Sequence, residues 1–385
     1  MQYRTIDGVQ LSEIGLGCDA LGGVYGPIDV AEFEDVIRRA YQLGVNFFDA
    51  TDAHSQAEVV LGKAVKPFRD QILIATKVGR KDGFEPELSP GYLTEACVAS
   101  LRRLDTAWID LYQVDYADPK TTFEEVVETL ESLKQAGKIR RYGISHLPED
   151  GLETFFRYGE VFSLLAPFSL INSETGGVVM SLCSQHQAAF LACSVTGRGM
   201  LTDKLPPHPD FEPGDTRVLD PLFQRQQYRS GIRLGDKLTQ VGAQYGKTAA
   251  QMAIAWVLSH EAVTCALTGP SSVAHLEENL AASGWSLPEE ALATLEMHYQ
   301  AEEDALLQEQ RQSLERILAN PLQADNLEAY QDLLSAMEVA LSLDLVTEEA
   351  IYPLYLDFHR LRNDIENARP DLEEIHAQLQ EIIEL

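Results

Sequence analysis

The chain is poor in cysteine, and none of its five is placed to work as a pair. Cys18, Cys97, Cys183, Cys193 and Cys265 are odd in number and scattered, with no C-x-x-C spacing. That pattern argues against a disulfide framework and against a zinc site, so no metal is expected. Long apolar runs are missing as well. No stretch approaches membrane-spanning length, and the opening residues MQYRTIDG hold no apolar leader, which points to a cytoplasmic protein. Positive charge is scarce: Lys and Arg number 30 against 60 Asp and Glu, a formal charge of −30. Such a field repels nucleic acid and anionic membrane surfaces alike. The deficit is uneven. Residues 301–385 hold 20 acids against five arginines, contain no lysine, and lie beyond the last glycine, Gly284. These shifts place a domain boundary near residue 300, with a barrel-sized unit over 1–300 and an acidic helical extension over 301–385.

What is present supports a large core: 385 residues, 45% of them hydrophobic. The Asp7-Gly8 pair inside Tyr3–Leu11 predicts a tight hairpin. Strand-like runs follow at Glu13–Gly17, Val45–Asp49, Ile72–Thr76, Ile109–Gln113, Arg141–Ile144, Leu164–Phe168, Ala189–Cys193 and Thr264–Thr268. Amphipathic segments such as Val30–Leu43, Tyr92–Leu104, Thr122–Gln135 and Thr248–Ser259 lie between them. Eight strands, each followed by a helix, predict an α/β fold, a closed parallel (β/α)8 TIM barrel with an additional all-helical C-terminal region. Sites in such barrels lie at the carboxyl ends of the strands, which singles out Asp49, Lys77, Asp115, Ser145-His146 and Cys193-Ser194 by position alone. The proline-bearing connection Pro206–Ser230 is long enough to predict a functional or mobile loop.

The extension reads as helices broken by Pro321, Pro353 and Pro370. Its apolar stripes are Leu307, Leu314 and Ile317-Leu318; then Leu327, Tyr330, Leu333-Leu334, Met337 and Leu341; then Tyr352, Tyr355, Phe358-His359 and Leu361; and finally Leu372, Ile375, Leu379 and Ile382. Each stripe has the helical period and needs a surface to cover. The helices pack on one another or on the barrel wall, or they present a module for a protein partner, basic if it is held by charge.

The chemistry concentrates in Val45–Gly62, VNFFDATDAHSQAEVVLG. An apolar run ends on Asp49, a polar turn follows, and a helix is expected from Ser55, with Ser55 as its N-cap. This stretch resembles the aldo-keto reductase family, whose motif runs F-D-T-A-x-x-Y and then G-x-S/A-E-x-x-L-G. Phe48, Asp49, Ala57, Glu58, Leu61 and Gly62 match, while His54 stands at the tyrosine position. ILIATKVG (72–79), DLYQVD (110–115), GKIRRYGIS (137–145), SVTGRGMLTDK (194–204) and GPSSVAHLEENL (269–280) follow in the family's order, so the resemblance spans residues 1 to about 300.

The resemblance implies an oxidoreductase that passes a hydride from NADP(H), or alternatively NAD(H), to a small-molecule carbonyl. Of the family's catalytic four, the aspartate is Asp49 and the lysine Lys77. The proton-donating tyrosine has become His54, and the histidine that orients the carbonyl has become Asp115. A histidine is a competent general acid near neutral pH; Asp115 beside His54 would favour its protonated form, and Lys77 beside it would oppose that. At the nicotinamide end the resemblance places Ser145 and His146 on the carboxamide. Leu165 stands where a glutamine is usual, and Cys193 replaces the aromatic that stacks on the ring. At the phosphate end Ser194, Gly197, Gly199 and Lys204 match the loop that wraps the pyrophosphate. Gly269, Ser271 and Ser272 precede a helix whose start meets a phosphate, and His275, Glu278 and Asn279 continue the motif, the last two toward the adenine. No lysine or arginine stands near position 271 for a 2′-phosphate, leaving Arg198 and Arg217 as substitutes.

Three readings follow. The first is a reductase with His54 as a replacement acid. The second is a catalytically degenerate barrel that senses a nucleotide or scaffolds partners through its acidic tail. The third makes Lys77 an amine nucleophile, and it ranks last because Asp49 beside it keeps the amine charged.

Overall fold

The computed structural model describes residues 1–385 apart from 82–84, 147–148, 174–175, 208, 210, 212–214, 219, 224, 362–363 and 384–385. Asp7 and Gly8, both at positive φ, turn the chain between β1 (Tyr3–Ile6) and β2 (Val9–Ser12), the hairpin that the Asp-Gly pair predicts. Eight strands then close into a parallel barrel in chain order. They are β3 (Ile14–Gly17), β4 (Phe47–Asp49), β5 (Leu73–Val78), β8 (Ile109–Asp115), β9 (Ile139–Ser145), β10 (Ser163–Pro167), β11 (Ala189–Cys193) and β12 (Val263–Thr268), which returns to β3. A two-stranded ribbon, β6 (Arg80–Lys81) with β7 (Glu85–Pro86), follows β5. The second barrel strand starts at Phe47 rather than Val45, because the Val45 N–H is taken by the Ala40 carbonyl at 3.0 Å.

The helices of the barrel are α1 (Val30–Gln42), α2 (Ser55–Val65), α3 (Pro90–Arg103), α4 (Phe123–Gln135), α5 (Glu149–Tyr158), α6 (Gly176–His186), α7 (Arg225–Ala243), α8 (Ala249–Leu258) and α9 (Val273–Leu280). Side chains alternate along each strand, so two cores form. Phe48, Ile74, Tyr112 and Ile144 face outward and pack beneath the helices. Phe47, Ala75, Leu111, Leu165, Leu191 and Cys265 face inward and fill the barrel, with Ile6 and Val9 of the hairpin packed against them. Helix α2 starts at Ser55, so its N-cap position falls on His54 and not on Ser55 as expected, and His54 makes no side-chain cap. Glu58 and Gly62, two matched motif residues, are structural. Glu58 is fully buried and bonds Thr76 at 2.6 Å and Arg103. A methyl group on Gly62 would come within 2.4 Å of the Leu104 carbonyl oxygen, so only glycine lets α2 lie this close.

By the density of its internal contacts the chain divides into two units, Met1–Gln224 with Gly231–Tyr299, and Arg225–Ser230 with Gln300–Leu385. The second holds most of α10 (Glu289–Ala319), together with α11 (Asn326–Ser342), α12 (Glu348–Arg360) and α13 (Arg369–Ile382). Leu314, Ile317, Leu333, Met337, Phe358, Leu372, Ile375 and Leu379 form its own core, with Tyr330 stacked on Phe358 at 3.9 Å. The charge shift at residue 300 is therefore not a helix boundary, since α10 runs through it. Nor do all three prolines break helices. Pro321 separates α10 from α11, but Pro353 lies inside α12, and Pro370 stands in the first turn of α13, where its missing N–H would be unpaired anyway. Leu307, Leu327 and Tyr352 of the expected stripes are exposed. No helix among the described residues is long and apolar enough to cross a membrane.

Candidate active site

The period-two alternation that fills the barrel lower down brings Asp49, Lys77 and Gln113 onto its inner face one layer above Phe47, Ala75 and Leu111, with Lys77 in register beside Gln113. The Lys77 ammonium donates to Asp49 Oδ2 and, at 3.3 Å, to the Ala50 carbonyl. Gln113 Nε2 donates to Asp49 Oδ1 at 3.0 Å. Asp49 is 2% exposed and Lys77 6%. Burial pushes the Asp49 carboxyl up to about 6, with Lys77 pulling it back down. Burial also works against the Lys77 charge, but the carboxylates of Asp19 and Asp49 together outweigh it and hold the ammonium above its ordinary range.

Asp19 is a site residue that the sequence reading missed. It follows the end of β3, and the Cys18 N–H before it donates to the Asp49 carbonyl at 2.8 Å, which holds this turn against the site. Its Oδ1 is shut off from solvent and has no hydrogen-bond partner among the described residues. The rule that sites lie at carboxyl ends, applied to the first strand as it was to the others, would have found it.

His54 lies in the single turn Asp52–His54, its ring against Gly22. A methyl group there would come within 2.4 Å of the imidazole. Asp52 in the same turn is half-buried, and burial, reinforced by Glu58, pushes its carboxyl up to about 7. The structure gives Asp115 a different partner from the one considered above. Its Oδ1 lies 2.8 Å from His146 Nδ1, which also lies 2.8 Å from Ser145 Oγ. An ionised carboxylate has no proton to offer, so Nδ1 carries it and Nε2 is the nitrogen left for chemistry. Tyr116 stacks on the His146 ring at 4.9 Å, and the Arg80 guanidinium covers Tyr116 at 3.8 Å. Tyr116 and His146 both sit at positive φ, 67° and 48°, a strained backbone of the kind that clusters at functional sites. His146, expected on a carboxamide, is thus half of an Asp–His pair.

Cys193 ends β11, in register with Pro167, and burial pushes its thiol up to about 12. Leu165 belongs to the inner apolar core, 3% exposed. Beyond Ser194 (φ 52°), Gly197, Arg198 and Gly199 take three successive positive φ values, a backbone concavity suited to an anion. The N–H groups of Gly197 and Gly199 are already taken by the carbonyls of Ser194 and Thr196 at 2.8 and 3.2 Å, so these glycines shape the turn rather than donate. Lys204 is exposed, 3.5 Å from Asp203. Arg198 pairs with Asp220, and Arg217 grips Asp215, one bond at 2.6 Å. Both residues considered for a 2′-phosphate are therefore paired with carboxylates in this structure. Gly269 follows β12. Ser272 caps α9 by accepting from the His275 N–H at 3.3 Å, while Ser271 Oγ lies 3.1 Å from His275 Nδ1, so the cap is Ser272 alone. Glu278 and Asn279 lie half-buried on α9, and the Glu278 carbonyl accepts from Gln251 at 3.1 Å.

Compared with known proteins, residues 13–300 match the model of the Aldo/keto reductase family. Aldo-keto reductase YhdN of Bacillus subtilis (strain 168) is 32% identical over 303 residues, covering 75% of this chain and 91% of that protein. The NADH-specific methylglyoxal reductase of Escherichia coli (strain K12) is 29% identical over 309 residues, covering 74% and 94%. Among solved structures, aldo-keto reductase AKR11C1 from Bacillus halodurans, in its holo form, superposes with a TM-score of 0.66 at 26% identity, covering 77% of this chain and 96% of that one.

Proposed function

The chain belongs to the aldo-keto reductase family, and on that premise we propose that it is an NAD(P)H-dependent oxidoreductase whose proton donor is a histidine. The observation that carries the reading is the buried Asp49–Lys77 pair at the carboxyl ends of β4 and β5. A charged pair in so dry a place is costly to keep unless the chemistry uses it. The residues fit the cofactor at its phosphate end, where the capped start of α9 offers backbone to an anion and Gly197 and Gly199 shape the loop after β11. When bound, the cofactor supplies the hydride. Ser194 and Lys204, on the loop that Gly197 and Gly199 shape, with Gly269, Ser271 and Ser272 would hold its phosphates, and Ser145 and Cys193 would line the nicotinamide end. The closure of Arg198 and Arg217 onto Asp220 and Asp215 favours NAD(H), the reverse of the expectation from family habit.

Hydride transfer to a carbonyl leaves an oxyanion that must be protonated in place. Lys77 is held by Asp49 and supports that charge rather than ending it. The same hold counts against Lys77 as a free amine nucleophile. His54, at the tyrosine position, is the assigned donor. One observation favours a second assignment: Asp115 fixes Nδ1–H of His146 and leaves its Nε2 to act on the substrate. Reduction of methylglyoxal by NADH and NADPH separates the two. His54→Ala should lower kcat by about 100-fold or more if His54 is the acid. A wild-type rate that survives this change but falls in His146→Gln moves the role to the Asp115–His146 pair. Restoring the family's four with His54→Tyr and Asp115→His should raise the rate.

The alternative keeps the nucleotide and drops the turnover, a nucleotide-sensing or scaffolding barrel with residues 301–385 as a separable unit for a basic partner. Cofactor binding without turnover in the wild type and in the restored double variant would favour it. If no cofactor form binds at millimolar concentration, both readings fail.

A further inference from the structure

The floor of the barrel mouth holds more acceptors than donors. The Lys77 ammonium is committed to Asp49 and the Ala50 carbonyl. Among the described residues nothing donates to Asp19 Oδ1 or to Gln113 Oε1, both closed off from solvent. Gln113 is fully buried and its other end is fixed on Asp49 at 3.0 Å, so its orphan oxygen belongs to the same cluster. Asp19 is carried there by backbone, through the Cys18-to-Asp49 bond at 2.8 Å, and it opens the turn whose Gly22 underlies His54. Asp19, Asp49 and Asp115 all act on the one ammonium of Lys77. Of the neighbouring cations, Arg198, whose charge also acts on Cys193, is paired with Asp220, and Arg80 lies over the Tyr116 ring.

We infer that this floor discriminates the redox state of the nicotinamide, holding the oxidised, cationic ring more tightly than the reduced, neutral one. The inference rests on the cofactor reading above. It needs no assumption about how the rest of the cofactor lies. The ring carbon that gives or accepts hydride has to meet the substrate carbon beside the proton donor and Lys77. A ring held there would feel the field of the three carboxylates that act on Lys77. The two forms share the same adenosine and phosphates and differ by one positive charge on the ring, so their relative affinity reports the field at the floor. In a partly dehydrated site a unit charge a few ångströms away changes affinity about tenfold or more. A reductase so built releases its oxidised product slowly. A non-catalytic barrel so built is occupied according to the redox state of the nucleotide pool.

The test is equilibrium binding of NAD+, NADH, NADP+ and NADPH to the full-length protein by titration calorimetry, with no substrate and no turnover. The oxidised member of each pair that binds should bind about tenfold tighter than its reduced partner. The preference should persist in added salt, because buried charges are screened little. Asp19→Asn removes one carboxylate with almost no change in shape and should shrink the ratio at least threefold, about half the logarithm of the full effect. Asp19→Glu, which keeps the charge, should retain the preference. Equal affinity for the two forms in the wild type, or a ratio unchanged in Asp19→Asn, overturns the inference while leaving the cofactor reading intact. Failure of all four nucleotides to bind overturns the cofactor reading, and this inference with it.

Discussion

The barrel and the helical region beyond residue 300 bury different things. Inside the barrel unit, Asp49, Glu58 and Lys77 are all at least nine-tenths buried. Beyond residue 300 the buried polar residues among those described are Ser313 and His376, the latter with its Nε2 at 2.7 Å from the Ile317 carbonyl. One region accepts the desolvation of carboxylates and an ammonium, which stability alone does not call for. The other closes an apolar core and leaves its charge in water. The contrast teaches where to look for function in each: inside the mouth of the barrel, but on the outer surface of the helices, where the acids lie.

The largest effect should come from breaking the buried pair. Lys77→Ala leaves the Asp49 carboxylate buried without its cation and should cost about 3–5 kcal/mol. Denaturant unfolding measures this. The double replacement Asp49→Leu with Lys77→Met should recover most of it while staying inactive. If the single change is instead tolerated within error, the pair contributes nothing to the fold and the contrast between the regions disappears.

A cut into the helical core tests whether the regions are independent. Leu333 is fully buried there, and Leu333→Ala should cost about 2–5 kcal/mol. Faster hydrogen exchange confined to residues 300–383, with exchange in the barrel strands unchanged, is expected of a separable unit. Loss of protection in β3 to β12 as well would make the helices part of the barrel's own cover.

The smallest effect is a pH dependence at Asp52. Its carboxyl is raised to about 7 by burial, so the folded state binds its proton more tightly than the unfolded chain does. That contribution to stability is full below the ordinary carboxylate range and is lost as pH rises through about 7. Asp52→Asn should therefore melt about 2–4 °C higher than the wild type at pH 8, and at the same temperature at pH 4. Equal melting at both pH values would mean that the Asp52 carboxyl is in water.

The barrel, its eight strands and the Asp49–Lys77 pair were legible in the chain because they rest on local rules. Period-two alternation sends Asp49 and Lys77 inward, and the helical crossover after each strand returns the next one parallel to the last. The hairpin was legible in Asp7-Gly8 for the same reason, since few residues tolerate that backbone. Other features depended on contacts between segments distant in sequence. The pairing of Asp115 with His146 comes from two neighbouring strands ending level, 31 residues apart. The capture of Arg198 by Asp220, 22 residues further along, depends on how one long loop folds back, which no local propensity specifies, whereas Arg217 and Asp215 meet across only two residues. Asp19 shows the limit most plainly. Its place beyond the carboxyl end of β3 could be read from the chain, but only closure of the barrel, which sets β3 beside β4, makes it a third negative charge acting on Lys77. Periodicity specifies which face a side chain takes, whereas its partner depends on which other chain ends reach the same rim, and that is a property of the closed fold.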